Sequence, residues 1–189
     1  MIKIYDGLIS IETQKLIEKE LTGPYFPWFL SSGTDHGTAD YSLADQNIKP
    51  DKLTREYLQF THTLLHEGKP TWEMSELIIS MFDSFCDSIN IKPKSIFRVK
   101  ANFQTQCNFS KEEFYNTPHN DALGPHTVAI YYVNDSDGDT VIFDTDGSIL
   151  QTVSPKQGRF LVFDGQLYHA GRHPIEADKR IVINFNFKE

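Results

Sequence analysis

The sequence predicts an α+β chain, mainly β, with helices near the N-terminal end packed on a sandwich or barrel of short strands. Three observations carry this. Apolar residues recur at helical spacing in the first half. After Pro93, six short runs rich in Val, Ile, Phe and Tyr follow one another. Turn signals such as Asp144-Thr145-Asp146-Gly147 separate them. The 189 residues suit one domain over 1–189, with a helical part at 1–92 and a strand-rich core at 93–189.

The elements follow in order. "SIETQKLIEKEL" opens on Ser10 as an N-cap and stops at Gly23-Pro24, with Leu16, Ile17 and Leu21 as its apolar stripe. Residues 31–50, rich in Ser, Gly, Asp and Thr, read as a long loop. Residues 51–68 and 72–89 read as two further helices. The second presents Met74, Leu77, Ile78, Met81, Phe82 and Phe85 to a core. Strands are expected at 95–103, 126–134, 139–144, 148–154, 158–165 and 180–187.

Composition narrows the class. A net charge of −8 argues against long nucleic acid or an anionic membrane as partner. No apolar run reaches membrane-spanning length, and "MIKIYDGLIS" has no signal-peptide core. Cys86 and Cys107 do not make a disulfide framework, so a reducing, cytoplasmic setting is expected, with Cys86 filling a core.

"TPHNDALGPH" at 117–126 raises the question of chemistry. It reads either as a polar turn or as half of a metal site. In extended chain, residues two apart point the same way, so His119 and Asp121 can approach one ion. A two-His-one-carboxylate face needs one more imidazole. His126, His169 and His173 are the candidates. His169, just after a strand, is the best placed, while the other two read as solvated loop residues. In "RIVINFNF", Arg180, Val182, Asn184 and Asn186 alternate with large apolar residues. That polar set faces either solvent or a polar cavity, where an Arg fork suits a carboxylate. "DSDGDT" at 135–140 has the opening of a calcium loop but lacks its later ligands, so a hairpin turn is preferred.

Taken together, "HND" (119–121), "YHAG" (168–171) and "KRIVINFNF" (179–187) resemble the signature of the iron(II)- and 2-oxoglutarate-dependent oxygenases. "FPWFL", "RVKANF", "TVAIYYVND" and "GDTVIFD" resemble its compact prolyl-4-hydroxylase-like branch of phage and bacterial type. The resemblance implies a double-stranded β-helix, the cupin-like jelly roll. It implies Fe(II) held by His119, Asp121 and His169, and the far carboxylate of 2-oxoglutarate held by Arg180, with dioxygen as the oxidant. Lys179 neighbours Arg180 and stays open as the basic residue. Tyr132, Asn102, Asn184 and Asn186 are further cosubstrate-pocket candidates, and residues 104–117 are expected to form part of a lid or substrate loop, while the loop at 31–50 is open between a lid or binding loop and a disordered segment. The implied reaction hydroxylates a C–H bond of a protein or peptide side chain such as proline, releasing succinate and carbon dioxide. The alternatives are a free amino acid, a small metabolite or a methylated base as substrate, or a non-catalytic cupin-like metal-binding module.

Overall fold

The computed structural model describes residues 1–31, 58–107, 115–144 and 146–189. Two antiparallel sheets face each other. The larger runs in the order β1 (Ile2–Tyr5), β9 (Phe160–Asp164), β6 (Thr127–Tyr132), β11 (Lys179–Lys188), β5 (Ser95–Thr105), β3 (Gln59–His66) and β2 (Phe29–Ser31), with β4 (Lys69–Pro70) paired to β3. The smaller is β10 (Tyr168–Gly171), β7 (Thr140–Phe143) and β8 (Ile149–Val153). This is the expected jelly roll.

Two helices, α1 (Ile11–Thr22) and α2 (Ser75–Ser88), cover the outer face of the large sheet. Ser10 caps α1 by accepting the Thr13 N–H. Ile17 and Leu21 of α1 are buried, whereas Leu16 is 41% exposed and Gln14 takes its place inside, donating to the Ile9 carbonyl. From α2, Phe82 stacks on Phe185 with ring centroids 4.2 Å apart, and Phe85 stacks on Phe160 at 3.7 Å. Cys86 is core filler as expected, its thiol pushed up to about 12 by burial.

The strand β11 shows how alternation positions the site. Ile181, Ile183, Phe185 and Phe187 enter the core under the helices. Arg180, Val182 and Asn184 therefore line the space between the sheets. A second apolar cluster, including Ile130, Ile142, Leu161 and Val182, fills the rest of that space.

Three expectations are corrected. Residues 59–66 form β3 rather than a helix, and 51–57 lie outside the described residues. A short apolar run fits either period; pairing of β3 with both β5 and β2 decides, and a register shift between Thr63 and Leu65 buries both Leu64 and Leu65. The stretch 1–92 is thus not purely helical, since β1 to β4 come from it. Residues 135–140 are not a hairpin turn, because β6 and β7 belong to different sheets and the chain crosses between them here. The β7–β8 hairpin does form, closed by Asp144 and Ser148 with Gly147 at a φ of 85°. The loop expected at 31–50 lies outside the described residues from 32 onward, as do residues 108–114 of the second loop.

Candidate metal and cosubstrate site

His119 and His169, fifty residues apart in sequence, meet as an antiparallel β-bridge. Each backbone N–H donates to the other's carbonyl at 3.0 Å. Directly opposed residues place their side chains on one face, and the two imidazole centroids lie 4.7 Å apart. Asp121, two residues on from His119, joins them. Its oxygens lie 4.0 Å from His119 Nε2 and 3.9 Å from His169 Nε2. One ligand atom from each residue lies within 4.8 Å of the others, a grouping that could hold a metal ion. Two nitrogens and one carboxylate oxygen on one face suit a non-haem iron(II) ion with further positions left open.

The surroundings prepare these donors. His119 Nδ1 lies 2.9 Å from the Thr117 carbonyl, which makes Nδ1 the protonated nitrogen and turns the Nε2 lone pair to the site. His169 packs its ring edge-on to Phe163, and burial holds its pKa down to about 3, so it is neutral and able to ligate. Its Nδ1 has no hydrogen-bond partner among the described residues. Burial alone would raise the Asp121 carboxyl; the Arg98 guanidinium leads the groups that outweigh it and hold it well below the usual carboxylate range. Arg98 Nη2 donates to Asp121 Oδ1 at 2.5 Å, while Asn184 and Asn186 donate to Oδ2 at 2.6 and 2.8 Å. Asn186 in turn accepts from Arg98 Nε at 2.9 Å.

The cluster opens on a cavity of about 130 Å³ whose other end holds Arg180. Arg180 is 4% exposed. Its Nε donates to the Gly138 carbonyl at 2.6 Å, Nη1 to Gln104 Oε1 and Nη2 to Thr140 Oγ1, both at 2.8 Å. A guanidinium has five N–H donors, so two remain for a ligand. Lys179, the alternative, is half-buried and does not line the cavity.

The "DSDGDT" loop seats this arginine through Asp137 and Gly138. Asp137 accepts the backbone N–H groups of Ile175, Glu176 and Ala177, each at 3.0 Å. Burial alone would raise its carboxyl; these donors outweigh it and hold it at about 2. Gly138 has no room for a side chain, since a Cβ would meet the Arg172 carbonyl at 2.5 Å and Arg180 Cδ at 2.8 Å.

Of the other expected residues, Asn102 and Asn184 line the cavity. Asn184 and Asn186 are directed at Asp121, with Asn186 outside the cavity lining. Tyr132 also stands behind the lining, donating to Thr140 Oγ1 at 2.8 Å, with its hydroxyl pushed up to about 12 by burial. Thr140 accepts from both Tyr132 and Arg180, which leaves its own proton free for the cavity. His126 and His173 are not solvated: they are 7% and 9% exposed, with Nδ1 atoms bonded to the Gly124 and Thr105 carbonyls. Sequence reading missed Arg98, Lys100 and Gln104. They alternate with Val99, Ala101 and Phe103 in "RVKANFQ", the same period-two signal that singled out Arg180.

Residues 104–188, which include all three candidate ligands and Arg180, match the model of the 2OG-Fe(II) oxygenase superfamily. No curated protein matches the chain by sequence. Among solved structures, an oxidoreductase of the 2OG-Fe(II) oxygenase family from Burkholderia pseudomallei superposes with a TM-score of 0.69 at 12% identity, covering 99% of this chain and 84% of that one. A prolyl hydroxylase from Trichoplax adhaerens, in complex with a hypoxia inducible factor peptide fragment, gives 0.64 at 12% identity and 98% and 82% coverage. HygX from Streptomyces hygroscopicus, with nickel and 2-oxoglutarate bound, gives 0.58 at 11% identity and 98% and 82% coverage.

The part of the chain that carries the site is thus similar to the 2OG-Fe(II) oxygenase superfamily. Its fold is similar to that of the prolyl hydroxylase from Trichoplax adhaerens. No helix among the described residues is long and apolar enough to cross a membrane.

Proposed function

We propose that the chain hydroxylates a C–H bond of a peptide side chain such as proline, with Fe(II) held by His119, Asp121 and His169 and 2-oxoglutarate held by Arg180. The observation that carries this reading is one cavity with the His-Asp-His cluster at one end and a half-committed guanidinium at the other. Bound Fe(II) would supply the oxidative decarboxylation of 2-oxoglutarate to succinate and carbon dioxide, coupled to substrate hydroxylation by dioxygen.

The residues divide the remaining work. Asp121 stays ionised and aimed through Arg98, Asn184 and Asn186. Arg180 gives its two remaining donors to the far carboxylate, and the free Thr140 proton adds a third. Ile130 and Val182 wall the cavity with apolar surface that keeps water from the reacting centre. The peptide as substrate class rests on the peptide bound by the Trichoplax relative.

Succinate release tests the reading, measured with proline-containing peptides and with free amino acids. Release stimulated by a peptide and abolished in His169→Ala supports it. Release stimulated only by free amino acids moves the substrate to that class, and full turnover by His169→Ala contradicts the site.

A further inference from the structure

The cavity carries more positive charge than the cosubstrate reading uses. Arg98, Lys100 and Arg180 line it, and among the described lining residues Asp121 is the sole carboxylate. Arg98 is engaged by Asp121 and Asn186. Arg180 is seated at the far end by Gly138, Gln104 and Thr140. Lys100 is different. It is only 8% exposed, yet its ammonium makes no hydrogen bond or ion pair with any described residue. An ammonium set in this cavity without a protein partner is open to a ligand anion.

Its place in the register fixes which end it serves. On β5 the residues Arg98, Lys100, Asn102 and Gln104 share the cavity face. Gln104 stands opposite Arg180 on β11, and Lys100 opposite Asn184, the residue that bonds Asp121. Lys100 is therefore about 13 Å along the strand from the Arg180 end. A five-carbon acid anchored on Arg180 does not place its distal carboxylate there.

We infer that Lys100 is a second anion-binding residue of this cavity, taking a carboxylate at the metal end that is distinct from the one Arg180 holds. The carboxylate comes either from the metal-proximal end of the keto acid or from the substrate. Burial holds the Lys100 pKa down to about 8, with Arg98 adding to the effect, so the ammonium is still charged at neutral pH. The inference rests on the oxygenase reading for the identity of the two poles.

The test compares wild type with Lys100→Met, Lys100→Arg and Arg180→Met, each as the full chain loaded with Co(II) as a redox-silent metal. One titration uses 2-oxobutyrate, which keeps the 2-oxo acid and lacks the distal carboxylate. The other adds acetate to protein saturated with 2-oxoglutarate. Lys100→Met should weaken at least one of them by about tenfold, with Lys100→Arg retaining most of the affinity. Loss on 2-oxobutyrate assigns the carboxylate to the cosubstrate, and loss on acetate alone assigns it to the substrate. Equal affinities of wild type and Lys100→Met for both probes overturn the inference. A wild type that binds no Co(II) sinks the oxygenase reading instead, and the same two anions titrated into metal-free protein still read the effect of Lys100.

Discussion

Replacing Asn184 by Leu should cost metal affinity while leaving the fold intact. Asn184 Nδ2 donates to Asp121 Oδ2 at 2.6 Å, and its own Oδ1 has no partner among the described residues. The substitution therefore removes one charge-assisted hydrogen bond and one orphan acceptor, at nearly constant volume. A hydrogen bond to a charged group contributes about 1.5–3 kcal/mol, and loss of such a partner of a metal ligand typically costs about 10–100-fold in affinity. Asp121 keeps Arg98 and Asn186, so it remains buried, ionised and roughly in place. Asn186→Leu should cost more, because Asn186 also orders Arg98. Competition of Co(II) between the protein and a chelator measures both, with thermal unfolding as the check on folding. Affinities within about twofold of wild type for both variants would refute the claim that these asparagines aim the carboxylate.

Three further outcomes follow from the geometry. Gly138→Ala should displace the Arg180 stem and weaken 2-oxoglutarate binding with metal affinity unchanged, measured by calorimetry; unchanged cosubstrate affinity would show that the close approach at 138 does not seat the arginine. Phe85→Ala should destabilise the protein by about 3–5 kcal/mol, because it empties the stack between α2 and Phe160, and denaturant unfolding reads it. Asp137 has a depressed folded-state pKa, so its stabilisation is present above the unfolded value of 3.8 and is lost as pH falls toward about 2. Asp137→Asn should therefore flatten the acid side of a melting-temperature profile, and an unaltered slope between those values would contradict the three-donor assignment.

The site was legible wherever local pattern and chemistry coincide. The two-residue spacing of His119 and Asp121 and the strict alternation of "RIVINFNF" gave their faces directly, because a strand's period is two. The pairing of His119 with His169 is non-local: the position of His169 just after a strand and the resemblance pointed to it, but no spacing in the chain encodes the bridge between residues fifty apart. Residues 59–66 were misread because short apolar runs fit both periods and the partners of β3 are distant in sequence. The roles of Asn184 and Asn186 were half legible. Their face was right, but only the fold brings Asp121 onto the same spot. Asp137 and Gly138 looked like a failed calcium loop because their partners, 175–177 and Arg180, lie some forty residues on.

The central claim is that one cavity holds iron at His119, Asp121 and His169 and 2-oxoglutarate at Arg180. Anaerobic titration of the metal-free protein with Fe(II) and then 2-oxoglutarate tests it most directly, through the weak visible charge-transfer band of a chelated keto acid. The account predicts the band in wild type, its loss in Asp121→Ala and its weakening in Arg180→Ala. Iron-loaded wild type without the band, or a band that survives Asp121→Ala intact, would contradict it.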